Sequence, residues 1–290
     1  MKITDPQFLR KMLLSRPQDL PGIFGRRLVE SVSTAPTGIA STSFGDVRYD
    51  VDMSLHAMAR KYYFHTHEVF LESVFQRFLT PGGTFIDIGA NMGYWSAFSA
   101  SIVGRSGEIH AFEPVPRFFD SVAALARNNP EYRIHAVNKA LGASPGVAPM
   151  EVVEPTVDNF ENFEINIGSS SMLPGFLAEQ KKLTKTIDVE VVPFDRYAAE
   201  AKLDPDKIDL IKIDVEGYEP YCLAGMENLL KKQGRKVPIL CELLTDPDRE
   251  LDGPTMVRQI ESHGYRCYDA MTMKPIDVAN MQFEENVVCV

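Results

Sequence analysis

Apolar side chains recur at Phe70, Leu71, Val74, Phe75, Phe78 and Leu79, a stripe of helical period that predicts a helix over 66–79. Pro81-Gly82-Gly83 ends it, and the pattern then changes to short apolar runs alternating with longer amphipathic stretches. A strand at 84–88 leads to a helix at about 93–103. A strand at 108–112 leads to a helix at about 116–128, with Phe119, Val122, Ala123 and Ala126 on its apolar side. A strand at 132–137 follows. After an interruption, a strand at 208–214 leads to a helix at about 220–232, where Pro220 suits a first-turn position. A strand at 237–243 then leads to a helix at about 254–263, ended by Gly264. The last two strands, 265–269 and 283–290, are separated by too little chain for another long helix, so they are expected to pair antiparallel at the sheet edge. Strand-helix alternation of this kind predicts a doubly wound α/β sheet with helices on both faces.

Two regions stand outside the alternation. Residues 1–60 read as an N-terminal extension or cap. They hold a short amphipathic stretch, the Ser/Thr/Pro/Gly-rich SVSTAPTGIAST, and Phe44 with the alternate set Val47-Tyr49-Val51, which predicts a strand or hairpin. The interruption at about 143–195 is too long for a simple loop. It reads as a lid-like insertion of strands and loops within a domain spanning 61–290, with Gly168-Ser169-Ser170-Ser171-Met172 and Phe160, Phe163 and Phe176 as candidate cover residues.

Composition narrows the class of partner. The formal charge of −10 gives no general attraction to nucleic acid or an anionic membrane. The opening segment has no uninterrupted apolar run, because Arg10, Lys11, Arg16 and Pro17 break it, and no stretch approaches the ~18 apolar residues of a membrane span. A cytoplasmic protein is expected. Cys222, Cys241, Cys267 and Cys289 form no CxxC pair and have apolar neighbours, so they are expected to be reduced, buried thiols.

The segment TFIDIGANMGYW (84–95) delivers a strand into a glycine turn and then a helix. A dinucleotide site asks for G-x-G-x-x-G, but the middle position here is Asn91, and Asp87 stands two residues before the turn. A carboxylate there opposes a pyrophosphate and suits an ammonium. Glu113, at the end of the next strand, is placed to accept hydrogen bonds from two ribose hydroxyls. A ligand with a ribose, an amine and a cationic centre but no phosphate fits these residues, and S-adenosylmethionine is such a ligand.

FIDIGANMG, AFEPVP (111–116), DLIKIDVEGYE (209–219), HGY and the terminal NVVCV resemble the FkbM family of class I S-adenosylmethionine-dependent methyltransferases. The resemblance runs over roughly 66–290. It implies a seven-stranded, mostly parallel Rossmann-like sheet with an antiparallel last strand, and O-methylation of a hydroxyl on a sugar, polyketide or related natural product. It also implies that Asp87, Gly89, Asn91 and Gly93 form the cofactor loop and that Glu113 is the ribose-binding acid.

Placing an acceptor oxygen behind an activated methyl is mainly an orientation problem, with a base or metal to help remove the proton. Asp214 and Glu216 end a strand facing the same cleft. Asp214 is the candidate for cofactor or acceptor contact and Glu216 for acceptor contact or proton removal, while Lys212 is expected to form a buried ion pair with Asp214. Glu242 ends the next strand, and with Asp214 and Glu216 it would form an oxygen-rich divalent metal site if the three converge. A metal is not expected. His67 and Glu68, at the start of the first core helix, are acceptor-side candidates, His67 also falling on the apolar stripe. Tyr94 and Trp95 pack in the first turn after the glycine loop. The expected partner is a small-molecule or glycan acceptor, with no nucleic acid and homo-oligomerisation left open. The competing readings are an N-methyltransferase, a nucleotide-dependent oxidoreductase and a non-catalytic methyltransferase-like scaffold.

Overall fold

The five residues Thr84–Ile88 are all buried, as a strand covered on both faces of a parallel sheet must be. The computed structural model of the chain describes residues 20–55, 58–153, 170–174, 176–177, 184–246, 251–281 and 284–290. Seven strands form the main sheet: β1 Thr84–Ile88, β2 Glu108–Phe112, β3 Arg133–Val137, β4 Ile208–Ile213, β5 Ile239–Asp246, β6 Cys267–Asp269 and β7 Glu284–Cys289. Their spatial order is β6-β7-β5-β4-β1-β2-β3. The strands from β5 through β4, β1 and β2 to β3 pair in parallel, and β7 runs antiparallel to both β5 and β6. The terminal pair forms as expected, but the last strand inserts between β5 and β6 and leaves β6 at the edge. Strand order reverses between β1 and β4, which is where a doubly wound sheet opens a crevice for ligands.

Alternation along the central strands creates two distinct faces. Phe85, Ile109, Leu210 and Leu240 point to one, against Trp95, Phe98, Phe75 and the hairpin Ile39–Phe44/Val47–Asp52. The hairpin's Val47, Tyr49 and Val51 are buried there, as their spacing predicts. Ile86, Ile88, Ile211, Ile213 and Ile239 point to the other face, against the helices Glu219–Ala224 and Gly253–Ser262.

Several predicted elements are corrected. The helix expected over 66–79 spans only Glu72–Phe78, because His65 and Glu68 adopt left-handed backbone conformations that an α-helix cannot include. The stripe nevertheless packs: Leu71, Val74, Phe75 and Leu79 are buried. The helix expected over 220–232 divides into Glu219–Ala224 and Glu227–Lys231. At the break, a Cβ on Gly225 would collide with the carbonyl of Gly142. Helix Pro116–Asn128 buries Phe118, Val122 and Leu125, so its inner face is turned relative to the predicted one.

The insertion contributes to a second sheet, ordered Ala140–Leu141, Thr184–Val192, Gly146–Val153, Ser170–Ser171. Of the predicted cover residues, Phe160, Phe163, Gly168 and Ser169 lie outside the described residues; Ser171, Met172 and Phe176 are buried. No helix among the described residues is long and apolar enough to cross a membrane.

The expectation of four reduced thiols is also corrected. Cys267 and Cys289 oppose each other directly across β6 and β7, with Cα atoms 4.1 Å apart, and are disulfide-bonded. The neighbouring Arg266–Val290 pair exchanges both backbone hydrogen bonds, so the cysteines occupy the adjacent close-approach pair of the antiparallel ladder. Cys222 and Cys241 are free and buried.

Candidate functional site

The turn after β1 is built from residues with left-handed backbone. Gly89 (φ 79°), Asn91 (φ 51°) and Gly93 (φ 82°) alternate with ordinary residues. Gly89 is demanded by close approach as well, since a Cβ there would overlap the carbonyl oxygen of Asp214 in the loop after β4. Asn91 stabilises its own conformation by accepting a hydrogen bond from the Met92 N–H through Oδ1 at 2.8 Å. Its N–H donates to Glu113 Oε2 at 2.8 Å, while the Val115 N–H donates to Glu113 Oε1 at 2.8 Å. Glu113 is thereby fixed between the ends of β1 and β2, each oxygen keeping a lone pair. Burial pushes its carboxyl up to about 8, against the pull of those two N–H groups.

Beside the turn, Lys212 gathers carboxylates. Its Nζ lies 2.8 Å from Asp214 Oδ2, the buried ion pair that alternation predicts, with the lysine side chain only 5% exposed and Asp214 32%. Parallel register sets Lys212 opposite Asp87. Burial opposes the charge on Lys212, but Asp214, Asp87 and Glu68 together raise its pKa. Asp87 is fully buried; Oδ2 accepts from Ser96 Oγ at 2.6 Å, and Oδ1 has no hydrogen-bond partner among the described residues. Burial raises the Asp87 carboxyl, with Lys212 and Ser96 pulling the other way.

The segment before the first core helix completes this side. His67 Nε2 lies 3.2 Å from Glu68 Oε2, and Trp95 Nε1 donates to the same oxygen at 3.4 Å. Burial works against ionised Glu68, but His67, Lys212 and Trp95 hold its carboxyl below the usual range. His67 packs edge-on to Tyr62 and Tyr94, whose rings stack 5.2 Å apart. Trp95 stacks on Phe75 at 4.2 Å. His67 Nδ1 and the hydroxyls of Tyr49 and Tyr94 are buried without hydrogen-bond partners among the described residues. Asp87 Oδ1, and Ser99 Oγ of the helix Tyr94–Val103, are further such atoms on the β1 face that carries Asp87.

Glu216 lies on the next loop with φ 53°, its carbonyl accepting from Ser171 Oγ of the second sheet at 2.9 Å. The loop is braced from inside by Glu219, which accepts from the N–H groups of Val215 (3.0 Å) and Gly217 (3.2 Å). Glu242, half-buried on β5, pairs in register with Asn286 of β7. Among the described residues, the group whose ligand-type atoms come within 4.8 Å of one another is Glu108, His110 and His135; Asp214, Glu216 and Glu242 are not in it.

The structure thus brings Asp87, Gly89, Asn91, Gly93, Glu113 and Asp214 to one end of β1, β2 and β4, with Glu68 electrostatically coupled to Lys212. Ser96, Glu219 and Tyr62 escaped the sequence reading, and Ser171, read there as a cover residue, braces the Glu216 loop. Ser96 alone had a local signal, since it falls one turn inside the helix that the glycine loop opens.

Residues 87–267, more than half of the chain, match the family model described as the methyltransferase FkbM domain. The chain is 29% identical over 192 residues to the 31-O-demethyl-FK506 methyltransferase FkbM of Streptomyces tacrolimicus, covering 60% of this chain and 72% of that one. It is 27% identical over 187 residues to the methyltransferase sdnD of Sordaria araneosa, covering 55% and 67%. Among solved structures, a methyltransferase FkbM from Methylobacillus flagellatus aligns with a TM-score of 0.41 at 13% identity, over 94% of this chain and 60% of that one.

Proposed function

The chain belongs to the FkbM methyltransferase family and is an S-adenosylmethionine-dependent methyltransferase, and from that premise we propose that it methylates a hydroxyl group on a sugar, polyketide or related natural product. The relative's name specifies methylation of 31-O-demethyl-FK506. For this chain, the observation that carries the reading is a group of buried polar atoms without partners among the described residues, including Asp87 Oδ1, His67 Nδ1 and the hydroxyls of Tyr49 and Tyr94. Each is costly unless something polar meets it.

An S-adenosyl group suits the turn. Glu113 keeps a lone pair on each oxygen for a ribose diol, and carboxylates outnumber cations around Lys212, which favours a positively charged ligand. When bound, S-adenosylmethionine supplies a methyl group already activated by its sulfonium. The protein's work is to hold the acceptor in line, exclude water and receive a proton. Asp214 is tied to Lys212, so it is suited to positioning rather than proton removal. His67 is better suited to removal. In the neutral ring Glu68 accepts from Nε2–H, and Nδ1 is then the atom that takes the proton. Glu216 is assigned to acceptor contact. No metal is assigned to the carboxylates.

The test is methyl transfer from tritiated S-adenosylmethionine to matched hydroxyl and amine acceptors of the natural-product class. Transfer to the hydroxyl partner, with kcat reduced about 10²–10⁴-fold by His67→Ala and cofactor affinity retained, is expected. Transfer only to the amine, or an unchanged kcat, contradicts the reading.

A further inference from the structure

The opposite face of the sheet carries a second group of ionisable side chains, which methyl transfer does not use. Glu108 and His110 stand two residues apart on β2, and the parallel register sets His135 of β3 beside His110. Side chains two apart on a strand and cross-strand partners share a face, so all three project together. One ligand-type atom from each lies within 4.8 Å of the others. The two imidazoles are stacked, with centroids 4.5 Å apart and planes 15° from parallel. Their faces cover each other, so the nitrogens stand at the ring edges, and the exposed His135 ring must tilt toward His110 for both lone pairs to meet one ion.

The outer atoms of two of the three, His110 and Glu108, are already engaged. His110 Nδ1 lies 2.7 Å from the Tyr197 hydroxyl, and its Nε2 lies 3.5 Å from Glu108 Oε2. Arg133 holds the other carboxylate oxygen, Glu108 Oε1, at 2.7 Å. This is the division of labour of a metal site, in which ligating atoms turn inward and their partner atoms are fixed from outside.

We propose that Glu108, His110 and His135 form a binding site for a divalent transition-metal ion, with zinc the best match. Two imidazoles and one carboxylate are a borderline donor set of the kind zinc accepts, whereas calcium and magnesium favour oxygen alone. Zinc–ligand bonds of about 2.0–2.1 Å put tetrahedral donors roughly 3.3 Å apart, so the three side chains close in by at most about 1.5 Å, and the His110–Glu108 pair scarcely moves. His135 is exposed, which leaves the fourth position to water. Glu108 and Arg133 also line a polar cavity of about 340 Å³ with Lys202 and Asp204, which gives the ion a route in. His110 precedes Glu113 by three residues, about 10 Å along the strand, and faces the other way, so the ion would be separate from the methyl-transfer cleft. It would clamp edge strand β3 to β2 and, through Tyr197, to helix Phe194–Glu200.

The test is titration of the full, tag-free chain with Co²⁺ alone, followed by visible absorption and calorimetry, and then displacement by Zn²⁺. The expected result is one equivalent of cobalt with the absorption of a tetrahedral site, displaced by zinc. Affinity should fall more than about 100-fold in His135→Ala and about 10–100-fold in Tyr197→Phe, which loses only the outer partner. Asp214→Asn should bind like the parent. Zinc should also raise the Tm of the parent but not of His135→Ala, which alters an exposed edge position and is expected to fold. Absence of saturable cobalt binding at millimolar concentration would overturn the proposal. So would binding that survives His135→Ala and disappears in Asp214→Asn, because the ion would then sit in the carboxylate cleft.

Discussion

The two faces of one sheet carry two kinds of polar cluster. On the first, Lys212 sits among Asp87, Asp214 and Glu68, each dependent on the lysine for its charge balance. On the second, Glu108, His110 and His135 stand near the strand starts and the open edge, with Arg133 and Tyr197 around them. The difference is one of burial and permanence. Lys212 is a buried counter-charge shared by three carboxylates. The imidazoles and Glu108 stand beside the open sheet edge, His135 exposed and His110 buried, with Tyr197 and Arg133 holding His110 and Glu108. Burial plus charge therefore gives one face a fixed ionic network, and partial exposure gives the other a looser polar cluster on which the fold depends less.

Removing the counter-charge separates the faces most sharply. Lys212→Met should cost about 3–5 kcal/mol of stability, because it strands buried carboxylates. His135→Ala, without added metal, should stay within about 0.5 kcal/mol of the parent. Chemical denaturation of both variants checks the contrast, and equal losses would remove the distinction between a required and an optional cluster.

The next effect is on ligand affinity. Glu113→Ala should weaken S-adenosylhomocysteine binding by about 2–3 kcal/mol, roughly 30–150-fold, through loss of charge-assisted hydrogen bonds to the ribose. Calorimetry measures it directly.

Acidity gives a smaller and more particular signature. The folded protein holds a proton on Glu113 that the unfolded chain releases above its ordinary value of 4.5, because burial raises the folded value to about 8. The stability associated with that proton is present below 4.5 and is lost as pH rises toward 8. Over the upper part of the same window, S-adenosylhomocysteine affinity should rise, by at most tenfold per pH unit, as the carboxylate becomes available. Glu113→Gln should flatten both profiles in differential scanning calorimetry and in titration.

The smallest change concerns the second sheet. Ser171→Ala removes the hydrogen bond to the Glu216 carbonyl and should cost about 0.5–1.5 kcal/mol, with a rise in acceptor KM and little change in cofactor affinity. Steady-state kinetics distinguishes this from an effect on the lysine cluster.

The strand-helix alternation from 84 to 137 and from 208 to 290 was legible because period and turn residues are local, and the predicted parallel sheet follows from them. The left-handed turn after β1 was legible for the same reason. Why Gly89 must be glycine was not, since the obstructing carbonyl belongs to Asp214 on another strand. His67 and Glu68 read as helical because the apolar stripe continues past them in spacing; only the positive φ of Glu68 shows that the chain turns there instead. The cysteine pair and the histidine pair share one cause. Cys267 meets Cys289, and His110 meets His135, through strand register, which no single segment states. EIHAF and RIHAV did carry a signal, the same Ile-His-Ala in two successive strands, but it becomes chemistry only once Glu108 is known to pair with Arg133.

The most direct test of the account is a calorimetric titration of the protein with S-adenosylmethionine, S-adenosylhomocysteine and NAD, repeated on Glu113→Ala. Saturable binding of both S-adenosyl compounds, weakened in the variant, with no binding of NAD, is the predicted result. Equal S-adenosyl affinity in the parent and the variant, or a preference for NAD, would contradict the assignment of the glycine turn and Glu113 to the cofactor.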